Sequence, residues 1–426
     1  MNAFEDLRQR GFLYQATDEA EIERVLGAES VTFYVGFDPT GDSLHVGHLL
    51  PVMAMRLLQR HGHRPIALVG GGTAMVGDPS GKTEARPILT REEIDANAEG
   101  IRAQLARFLS FGEDAAALVN NADWLAPLNY IEFLRDIGRH FSVNRMLATE
   151  SVKQRLETGL SFLEFNYALL QAYDFYVLCR DRDCKFQFGG QDQWGNIVAG
   201  VDLTRRLLAA EVYGATFPLL LKADGEKFGK TAAGAVWLDP ERTSTFDYYQ
   251  FWRNAADADV PRLLAYFTEL PMSEVEALGK LEPPTINRAK EVLAYEATCL
   301  AHGEDEARKA YVAAGNEFGF ADPRCEIPTS SRITAINAGQ SSVDIPSHTV
   351  SAQSARNGIP VLDLFVDAGL CKSKGEARRL IRGGGAYIED EKIADETRRV
   401  GLDHFTDDRL LLRAGKKNRR RILIAP

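Results

Sequence analysis

The chain has 426 residues, of which 45% are hydrophobic and 26% are charged, a composition typical of a globular protein with two or three domains. No apolar run approaches the roughly 20 residues of a membrane span, and the acidic, amphipathic first residues do not resemble a signal or transit peptide. The five cysteines are scattered without a CxxC pair, which argues against a structural zinc site and favours a reducing cytoplasm.

A strand, a turn and a helix are predicted near the N-terminus. Val31 to Phe37 is a β-branched and aromatic run that reads as a buried strand, and a turn follows it. Asp42 or Ser43 would cap the next helix. His45 and His48 then share one face of its first turn, where free N–H groups suit a phosphate. The alternative is that both histidines are satisfied core residues.

A second parallel strand, Arg64 to Gly72, would complete a βαβ unit that binds ligands at the carboxyl ends of its strands. The following loop contains Gly81-Lys-Thr, but only three residues separate its two glycines, so we reject a P-loop. Lys82 and Arg86 are still candidate phosphate ligands at this edge. The alternative is an ordinary surface loop.

Three helices are predicted next, over Thr90 to Ser110, Tyr130 to Glu157 and Ser161 to Tyr176. Four apolar residues of the second helix are either core residues or contacts with a second copy of the chain, and the sequence leaves both open: Phe141, Val143, Met146 and Leu147. The third helix carries a polar stripe of Tyr167, Gln171 and Asp174. Buried polar groups need partners, so the stripe either pairs within the core or surrounds a polar ligand.

Cys184 to Gly190 is predicted as a buried strand with Gln187 at its centre. Asp192 follows it, where acidic residues of nucleotide folds accept from ribose hydroxyls. After a helix over Gly200 to Glu211 and a short strand over Phe217 to Leu221, the loop Lys222 to Thr231 carries Lys227 and Lys230. Two such lysines either form a solvated turn or move onto a polyphosphate.

The C-terminal part is distinct in charge. From Pro360 onwards 15 Lys and Arg stand against 11 Asp and Glu, so this part carries +4 and the remainder −14 of the net −10. Two short helices, a glycine turn and a basic β-ribbon are predicted there. A basic module on an acidic body points to a local nucleic-acid footprint.

Two motifs now carry a resemblance. His45-Val-Gly-His48 resembles the HIGH motif of class I aminoacyl-tRNA synthetases, and Lys227-Phe-Gly-Lys-Thr231, about 180 residues downstream, resembles their KMSKS loop in its tyrosyl form. Gly189 to Trp194 is similar to the family's GGSDQW block, with Gln191 in place of Ser. The last module resembles an αL RNA-binding module of a small-subunit ribosomal protein. The resemblance to the bacterial tyrosyl branch covers nearly the whole chain.

The resemblance implies an α/β fold with four parts. We expect a Rossmann-like parallel-sheet catalytic domain with dimer-interface helices over residues 1–230, and an α-helical tRNA-binding domain, beginning with the continuation of the Lys-rich loop, over 231–320. A linker over 321–357 and an αL-type RNA-binding module over 358–426 would follow. The expected protein is a cytoplasmic homodimer that ligates L-tyrosine to tRNA-Tyr, with ATP as substrate, Mg²⁺ accompanying ATP, and no structural zinc.

Roles carried over residue by residue fall into four sets. The phosphate set is Thr40, His45, His48, Lys82, Arg86, Lys227, Lys230 and Thr231. The adenosine set is Gly36, Asp38, Gly189 and Asp192, with Lys230 also on ATP. The tyrosine set is Tyr34 and Asp174 for the phenol, Asp78, Tyr167 and Gln171 for the ammonium, and Gln187 and Gln193 for the carboxylate and Cα. The tRNA set is Arg205, Arg206, Lys372, Lys374, Arg378, Arg379, Lys416 and Lys417.

Two other functions fit part of the sequence. A tryptophanyl enzyme shares the fold, but the Tyr34 and Asp174 pair and the basic tail favour tyrosine. An RNA-binding protein without catalysis would keep the basic module and shed the motif residues, which are present here. Val35 stands where relatives often carry Cys, so one ribose contact could be missing.

Overall fold

The computed structural model describes residues 2–80, 90–221, 228–231, 234–334, 336, 347–389, 391–405, 409–415 and 418–425. The chain divides into two compact units, Met1–Ala307 and Arg308–Pro426. No helix within the described ranges is long and apolar enough to cross a membrane.

The first unit contains a six-stranded sheet in the order β1-β6-β5-β2-β3-β4. Its strands are β1 (Gln15–Ala16), β2 (Thr32–Phe37), β3 (Arg64–Val69), β4 (Ala117–Asn120), β5 (Cys184–Gly190) and β6 (Tyr213–Phe217). All neighbouring pairs are parallel except β1 with β6. From β2 the chain moves outward to β3 and β4 and then returns to β5 on the other side. The sheet therefore has a topological switch point between β2 and β5, where such folds bind their ligands.

Helices flank this sheet and continue beyond it. They are α1 (Ala3–Gln9), α2 (Glu19–Ala28), α3 (Leu49–Arg60), α4 (Arg91–Leu105), α5 (Ala122–Leu125), α6 (Tyr130–Asp136), α7 (Val143–Leu147), α8 (Glu150–Thr158), α9 (Phe162–Phe165), α10 (Tyr167–Arg182) and α11 (Trp194–Leu208). A two-stranded ribbon, β7 (Lys230–Thr231) and β8 (Gly234–Ala235), then leads to α12 (Thr245–Arg253), α13 (Val260–Phe267), α14 (Met272–Gly279), α15 (Ile286–His302) and α16 (Glu304–Phe318). The parallel sheet and the helix-rich segment after it confirm the expected fold class.

The second unit is built on a five-stranded sheet in the order β12-β11-β14-β15-β9. Its elements are β9 (Ser347–Ser351), α17 (Ala352–Asn357), β10 (Ile359–Pro360), α18 (Val361–Asp367), α19 (Lys374–Arg382), β11 (Ala386–Ile388), β12 (Glu391–Lys392), β13 (Arg399–Val400), β14 (Arg409–Ala414) and β15 (Asn418–Ala425). Buried Phe365, Ile381, Leu412 and Ile422 form its core. The predicted helix pair and basic ribbon are present.

Part of the predicted linker is regular structure, which corrects the boundary drawn at residue 357. Ser347–Ser351 pairs in parallel with Arg421–Ala425 as the edge strand of this sheet, and Ser351 caps α17 by accepting from the backbone N–H of Ser354 at 3.1 Å. The segment is rich in Ser and Thr, and its composition gave no strand signal because the strand has only one paired side.

The helix predicted over Tyr130 to Glu157 is broken into α6, α7 and α8. The backbone turns through Gly138–His140 and is extended at Phe141. Phe133 and Ile137 are buried, and Phe141 and Met146 pack against the same cluster beside α10. Packing of these residues onto one cluster overrides the periodicity of the sequence. The predicted strand Phe217 to Leu221 is likewise wrong, since β6 is Tyr213–Phe217.

Candidate active site

The two histidines lie at the switch point, in the connection from β2 to α3. The predicted cap by Asp42 or Ser43 is wrong, because His45 itself caps the helical turn Val46–His48 that precedes α3. Its Nδ1 accepts from the backbone N–H of Gly47 at 3.0 Å, and Nδ1 of His48 accepts from the N–H of His45 at 3.2 Å. A neutral imidazole whose Nδ1 accepts carries its proton on Nε2. Both rings, stacked at 3.9 Å, therefore present N–H donors suited to an anion.

The Lys-rich loop and the histidine motif are joined by backbone hydrogen bonds. The N–H of Val46 donates to the carbonyl of Val236, and the N–H of Leu238 donates to that of Leu44, both at 2.9 Å. Gly229 lies so close that a Cβ there would stand 2.9 Å from the backbone nitrogen of Gly47. Two motifs far apart in the sequence thus form one site.

Aromatic contacts hold Phe228 of this motif in place. Phe228, in the middle of the Lys-Phe-Gly-Lys motif, is buried among Phe251 and Trp252 of α12 and Phe267 of α13, with ring centroids 5.1, 5.6 and 6.1 Å away. Aromatic pairs at such distances attract beyond their area burial. The backbone of Lys230 and Thr231 pairs with Gly234–Ala235. The helices after the motif therefore hold Phe228 and Gly229 beside the histidine motif.

A second pocket surrounds Asp174, which α10 presents to the sheet. Both carboxylate oxygens accept hydrogen bonds, Oδ2 from Nδ2 of Asn121 at 3.0 Å and Oδ1 from Nε1 of Trp124 at 2.7 Å. Tyr34 of β2 is 1% exposed, and its hydroxyl has no hydrogen-bond partner among the described residues. Gln187 lies beside Tyr34 in the sheet register, and its Oε1 is likewise buried and unpartnered there. These polar atoms make a site that fits a ligand with a hydroxyl group.

Burial dominates the electrostatics of this pocket. It raises the pKa of Asp174 to about 7, against the hydrogen bonds from Asn121 and Trp124, which lower it. Burial also raises the pKa of Tyr34 well above its ordinary value, and the nearby Asp174 adds to this shift. A buried carboxyl poised near neutrality is typical of a functional site.

A third group of polar side chains continues the site toward α11. Asp78 accepts from the N–H of Ser80 at 2.9 Å and from Nε2 of Gln193 at 2.8 Å, and Oε1 of Gln171 accepts from Nδ2 of Asn196 at 3.1 Å. Asp78, Gln171 and Gln193 are among the residues predicted to hold an ammonium and a carboxylate, and the structure brings these three together.

The adenosine set lies at the ends of β2 and β5. Oδ1 of Asp38 lies 3.5 Å from the hydroxyl of Tyr167, a long contact. Gly36 is exposed within an otherwise buried strand, and a Cβ there would meet nothing within 4 Å. Gly189 lies on Gln193, and Asp192 is exposed. Open space beside Gly36 at a switch point suits a flat ligand.

The departures from the family pattern have structural counterparts. Oε1 of Gln191 accepts from the backbone N–H of Leu219 at 3.0 Å, a bond that a short Ser could not reach. Val35 is 2% exposed and belongs to the buried part of β2.

Other predicted residues are only partly accounted for. Thr40 is exposed in the turn after β2. Lys82, Arg86, Lys227, Lys416 and Lys417 lie outside the described residues, and so do the side chains of Lys230 and Thr231.

The predicted tRNA contacts are mostly paired within the protein. Arg205 donates to the carbonyl of Val212 at 2.7 Å, and Arg206 donates to that of His140 at 2.8 Å. In the second unit Lys374 pairs with Asp363, and Arg378 pairs with Glu396. Lys372 and Arg379 are exposed at α19. These assignments stay predictions.

Sequence reasoning missed Asn121, Trp124 and Asn196. Asn120 ends β4 and Asn121 directly follows it, at the edge where ligands bind, and that position was a usable signal. Nothing in the sequence marks Trp124 as a partner of Asp174. No group of three or more His, Cys, Asp and Glu that could hold a metal ion occurs in the part of the chain that the structure describes.

Comparison with known families gives two matches. The family described as tRNA synthetases class I (W and Y) matches residues 27–319, and the tyrosine–tRNA ligase SYY-like C-terminal domain matches residues 337–421.

Individual relatives match over full length. A tyrosine–tRNA ligase of Desulfatibacillum aliphaticivorans is 52% identical over 427 residues, covering 100% of this chain and 99% of the relative. One from Clostridium botulinum strain 657 is 51% identical over 424 residues, covering 100% of both.

Solved structures agree in fold. A C-terminally truncated mitochondrial tyrosyl-tRNA synthetase of Aspergillus nidulans is 32% identical with a TM-score of 0.66, covering 73% of this chain and 93% of that chain. An Archaeoglobus fulgidus tyrosyl-tRNA synthetase complexed with L-tyrosine is 19% identical with a TM-score of 0.55, covering 73% and 100%, and indicates the fold alone.

Proposed function

Because the chain belongs to the class I tRNA synthetases for tryptophan and tyrosine, we propose that the Asp174 pocket binds L-tyrosine and that the histidine site binds the phosphates of ATP. The chain is a tyrosine–tRNA ligase, as the sequence predicted, since relatives of this name are about half identical to it along its whole length. The tryptophanyl and the purely RNA-binding alternatives are thereby set aside.

The reaction has two steps. A carboxylate oxygen of tyrosine attacks the α-phosphorus of ATP, the bond to the β-phosphate oxygen breaks, and pyrophosphate leaves. A hydroxyl of the terminal tRNA ribose then attacks the carbonyl of tyrosyl-adenylate, and AMP leaves. Neither step needs a covalent enzyme intermediate, so catalysis consists of positioning and charge stabilisation.

We carry the tyrosine contacts over from the family resemblance, and the geometry of the pocket supports them. The phenol would lie between the hydroxyl of Tyr34 and the carboxylate of Asp174, two buried polar groups on neighbouring elements. The ammonium would meet Asp78, Gln171 and Tyr167. Gln187 and Gln193 would orient the carboxylate and the Cα region. The single observation that carries this assignment is the buried Asp174, held by two donors with its pKa near neutrality.

The phosphate contacts follow from the two motifs. The Nε2–H groups of His45 and His48 would donate to phosphate oxygens, with Thr40 beside them, and Lys227, Lys230 and Thr231 would neutralise pyrophosphate, as would Lys82 and Arg86. Gly36, Asp38, Gly189 and Asp192 would line the adenosine. Mg²⁺ would enter with ATP on its phosphate oxygens, the usual mode for this cation in nucleotide sites.

Exchange of labelled pyrophosphate into ATP, without tRNA, tests the activation step. We expect exchange with tyrosine, and none above background with phenylalanine or tryptophan. Exchange with tryptophan would overturn the phenol assignment. No exchange with any of the three, from folded protein with Mg²⁺, would overturn the proposed ATP site.

The affinity for tyrosine should depend on pH through Asp174. With a pKa of about 7, the Asp174 carboxyl becomes mostly protonated as pH falls below 7, and the protonated form can no longer accept as a carboxylate. If the phenol donates to the ionised form, the dissociation constant of tyrosine rises as pH falls, approaching about tenfold per pH unit. Calorimetry between pH 8 and pH 5.5 measures this slope. Asp174→Asn should flatten it, and a flat wild-type profile would contradict the assignment.

We also propose that the protein acts as a homodimer through one apolar surface, the dimer surface, made by α6, α7 and α9. It contains Ile131 and Phe162, each 70% exposed, together with half-exposed Val143. Of the four predicted contacts, Val143 and Leu147 are exposed, while Phe141 and Met146 pack against the core. Large exposed apolar residues on several helices of one region are typical of protein interfaces.

Phe162→Asp should dissociate the dimer. A symmetric interface meets the change twice, and each buried, unpaired carboxylate is costly. We expect the dissociation constant to rise at least about 100-fold, or about 2.7 kcal/mol. Sedimentation at micromolar concentration measures it. Tyr14→Asp changes an aromatic residue that is 59% exposed outside the surface and serves as the control. An unchanged dimer in Phe162→Asp would place the interface elsewhere.

The tRNA contacts and the location complete the proposal. Exposed Lys372 and Arg379 on the second unit would meet tRNA phosphates together with Lys374, Arg378, Lys416 and Lys417, and Arg205 and Arg206 would meet the acceptor end. Five free cysteines are compatible with the cytoplasm as the place of action.

A further inference from the structure

One face of helix α4 is hydrogen-bonded to the turn that precedes the histidines. Asn97, Gly100 and Gln104 are three and four residues apart, so they share this face. Nδ2 of Asn97 donates to the carbonyl of Pro39 at 3.0 Å. Oε1 of Gln104 accepts from the N–H of Leu44 at 2.7 Å, and its Nε2 donates to Oγ of Ser43 at 2.9 Å. None of these three residues stands out as a functional residue in the sequence.

Gly100 lets the helix touch this turn directly. A Cβ at this position would lie 2.2 Å from the backbone oxygen of Asp42 and 3.1 Å from its carbonyl carbon. Glycine is among the least favourable residues in a helix interior. Here it permits a backbone-to-helix contact that every other residue would prevent.

The bonds of Gln104 are buried. Gln104 is 9% exposed, Ser43 5% and Leu44 3%. Without Gln104 the N–H of Leu44 would lack this acceptor in a place poorly reached by water, which is costly. Oγ of Ser43 donates in turn to the carbonyl of Leu44 at 2.9 Å. The turn is thus held as a closed hydrogen-bonded unit.

The segment held by α4, residues 39–44, leads directly into the phosphate site, because it contains Thr40 and ends next to His45. Its other side is held by two backbone bonds, from the N–H of Leu238 to the carbonyl of Leu44 and from the N–H of Val46 to the carbonyl of Val236. The tyrosine pocket as described above takes Tyr34 from β2, Gln187 from β5, Trp124 from α5 and Asp174 from α10, with Asn121 between β4 and α5, and its hydrogen bonds to Asp174 come from Asn121 and Trp124, outside α4.

We propose that Gly100 and Gln104 are positioning residues for ATP activation, acting through Thr40 and His45. The inference rests on the proposed phosphate role of those two residues. Misplacing reacting groups by about 1 Å can cost about 100-fold in rate. Changes at α4 should therefore lower kcat and leave tyrosine binding intact.

Gly100→Ala tests the close contact. Alanine favours the helix by propensity, but its Cβ would displace the turn at Asp42, so the readout is the change in kcat compared with the change in tyrosine affinity, not stability. We expect kcat of pyrophosphate exchange to fall about 10- to 100-fold, with the tyrosine dissociation constant unchanged within about twofold. Gly27→Ala is the matched control in α2, where a Cβ would make an ordinary 3.8 Å contact with Asn2. A Gly100→Ala enzyme with the wild-type kcat would overturn the proposal.

Gln104→Met tests the hydrogen bonds with little change of shape, and a smaller fall in kcat is expected. Gln59→Met is its control, because Gln59 makes the same pair of bonds, donating to the carbonyl of Ser110 at 2.7 Å and accepting from its N–H at 3.0 Å, outside the site. Equal kcat losses in both variants would contradict a specific role of Gln104.

Thr40→Ala and His45→Ala, in the same assay, separate the two hypotheses. If neither lowers kcat, the proposed phosphate site is wrong and the inference falls with it. If both lower kcat while Gly100→Ala and Gln104→Met do not, only the positioning role is wrong.

Discussion

Replacing Asp174 with alanine is expected to remove most of the preference for tyrosine over phenylalanine. The wild-type pocket binds phenylalanine poorly because the polar groups of Tyr34 and Asp174 would be left buried without the hydrogen bonds of the phenol. Tyrosyl-tRNA synthetases are themselves the reference case for such discrimination, at roughly 10⁵ without editing. Without the Asp174 carboxylate, the free-energy cost of binding phenylalanine in this pocket is smaller. We expect the ratio of kcat/KM values to fall at least about 100-fold.

Pyrophosphate exchange with each amino acid in turn measures this ratio. Asp174→Asn keeps the shape but offers an amide to the donors of Asn121 and Trp124, so it should lose tyrosine affinity as well. Asp181→Ala removes an exposed carboxylate at the far end of the same helix, where it pairs with Arg180, and should leave the ratio unchanged. Strong rejection of phenylalanine by Asp174→Ala would show that the phenol lies elsewhere.

Replacing His45 is expected to slow activation without weakening tyrosine binding. Its Nε2–H would donate to phosphate oxygens as their charge develops, and removing one such donor typically costs about 10²- to 10³-fold in kcat. His45→Ala also removes the helix cap on Gly47. His45→Asn restores a good capping residue but not the Nε2 donor.

The pair of variants separates chemistry from folding. We expect both to lose kcat to a similar extent, and only His45→Ala to lose thermal stability. Recovery of the rate in His45→Asn would reduce His45 to a structural cap. His61→Asn, at the end of α3 where His61 meets Asp6 at 3.0 Å, controls for a histidine outside the site.

The sequence predicted the parts of the fold that repeat a strong local pattern. β2, β3 and β5 are apolar runs bounded by turns, and the motifs that follow them lie at the carboxyl edge of the sheet, as predicted. The polar stripe of α10 was predicted because Tyr167, Gln171 and Asp174 stand out on an apolar helix. The partners of that stripe were not, because Asn121 and Trp124 lie about 50 residues away and only the sheet order β2-β3-β4 brings them near.

Elsewhere the structure could not be predicted from the sequence, because it depends on contacts between elements that are distant in the chain. The break between α6 and α7 depends on packing beside α10, and the edge strand β9 depends on pairing with β15, some 70 residues later in the chain. The close contact of α4 with the turn over residues 39–44 depends on Gly100, and by helix propensity alone a glycine there would only destabilise the helix.

The four tryptophans of the chain lie in or next to the candidate active site. Trp124 donates to Asp174, Trp194 follows Gln193 at the start of α11, Trp237 lies 5.8 Å from the ring of His45, and Trp252 lies 5.6 Å from that of Phe228. Indole fluorescence responds to the polarity and motion of its neighbours. The intrinsic emission of the unlabelled protein is therefore a signal from the site itself, and stopped-flow traces can follow tyrosine entry at Trp124 and changes around Phe228 at Trp252 separately once the other tryptophans are replaced.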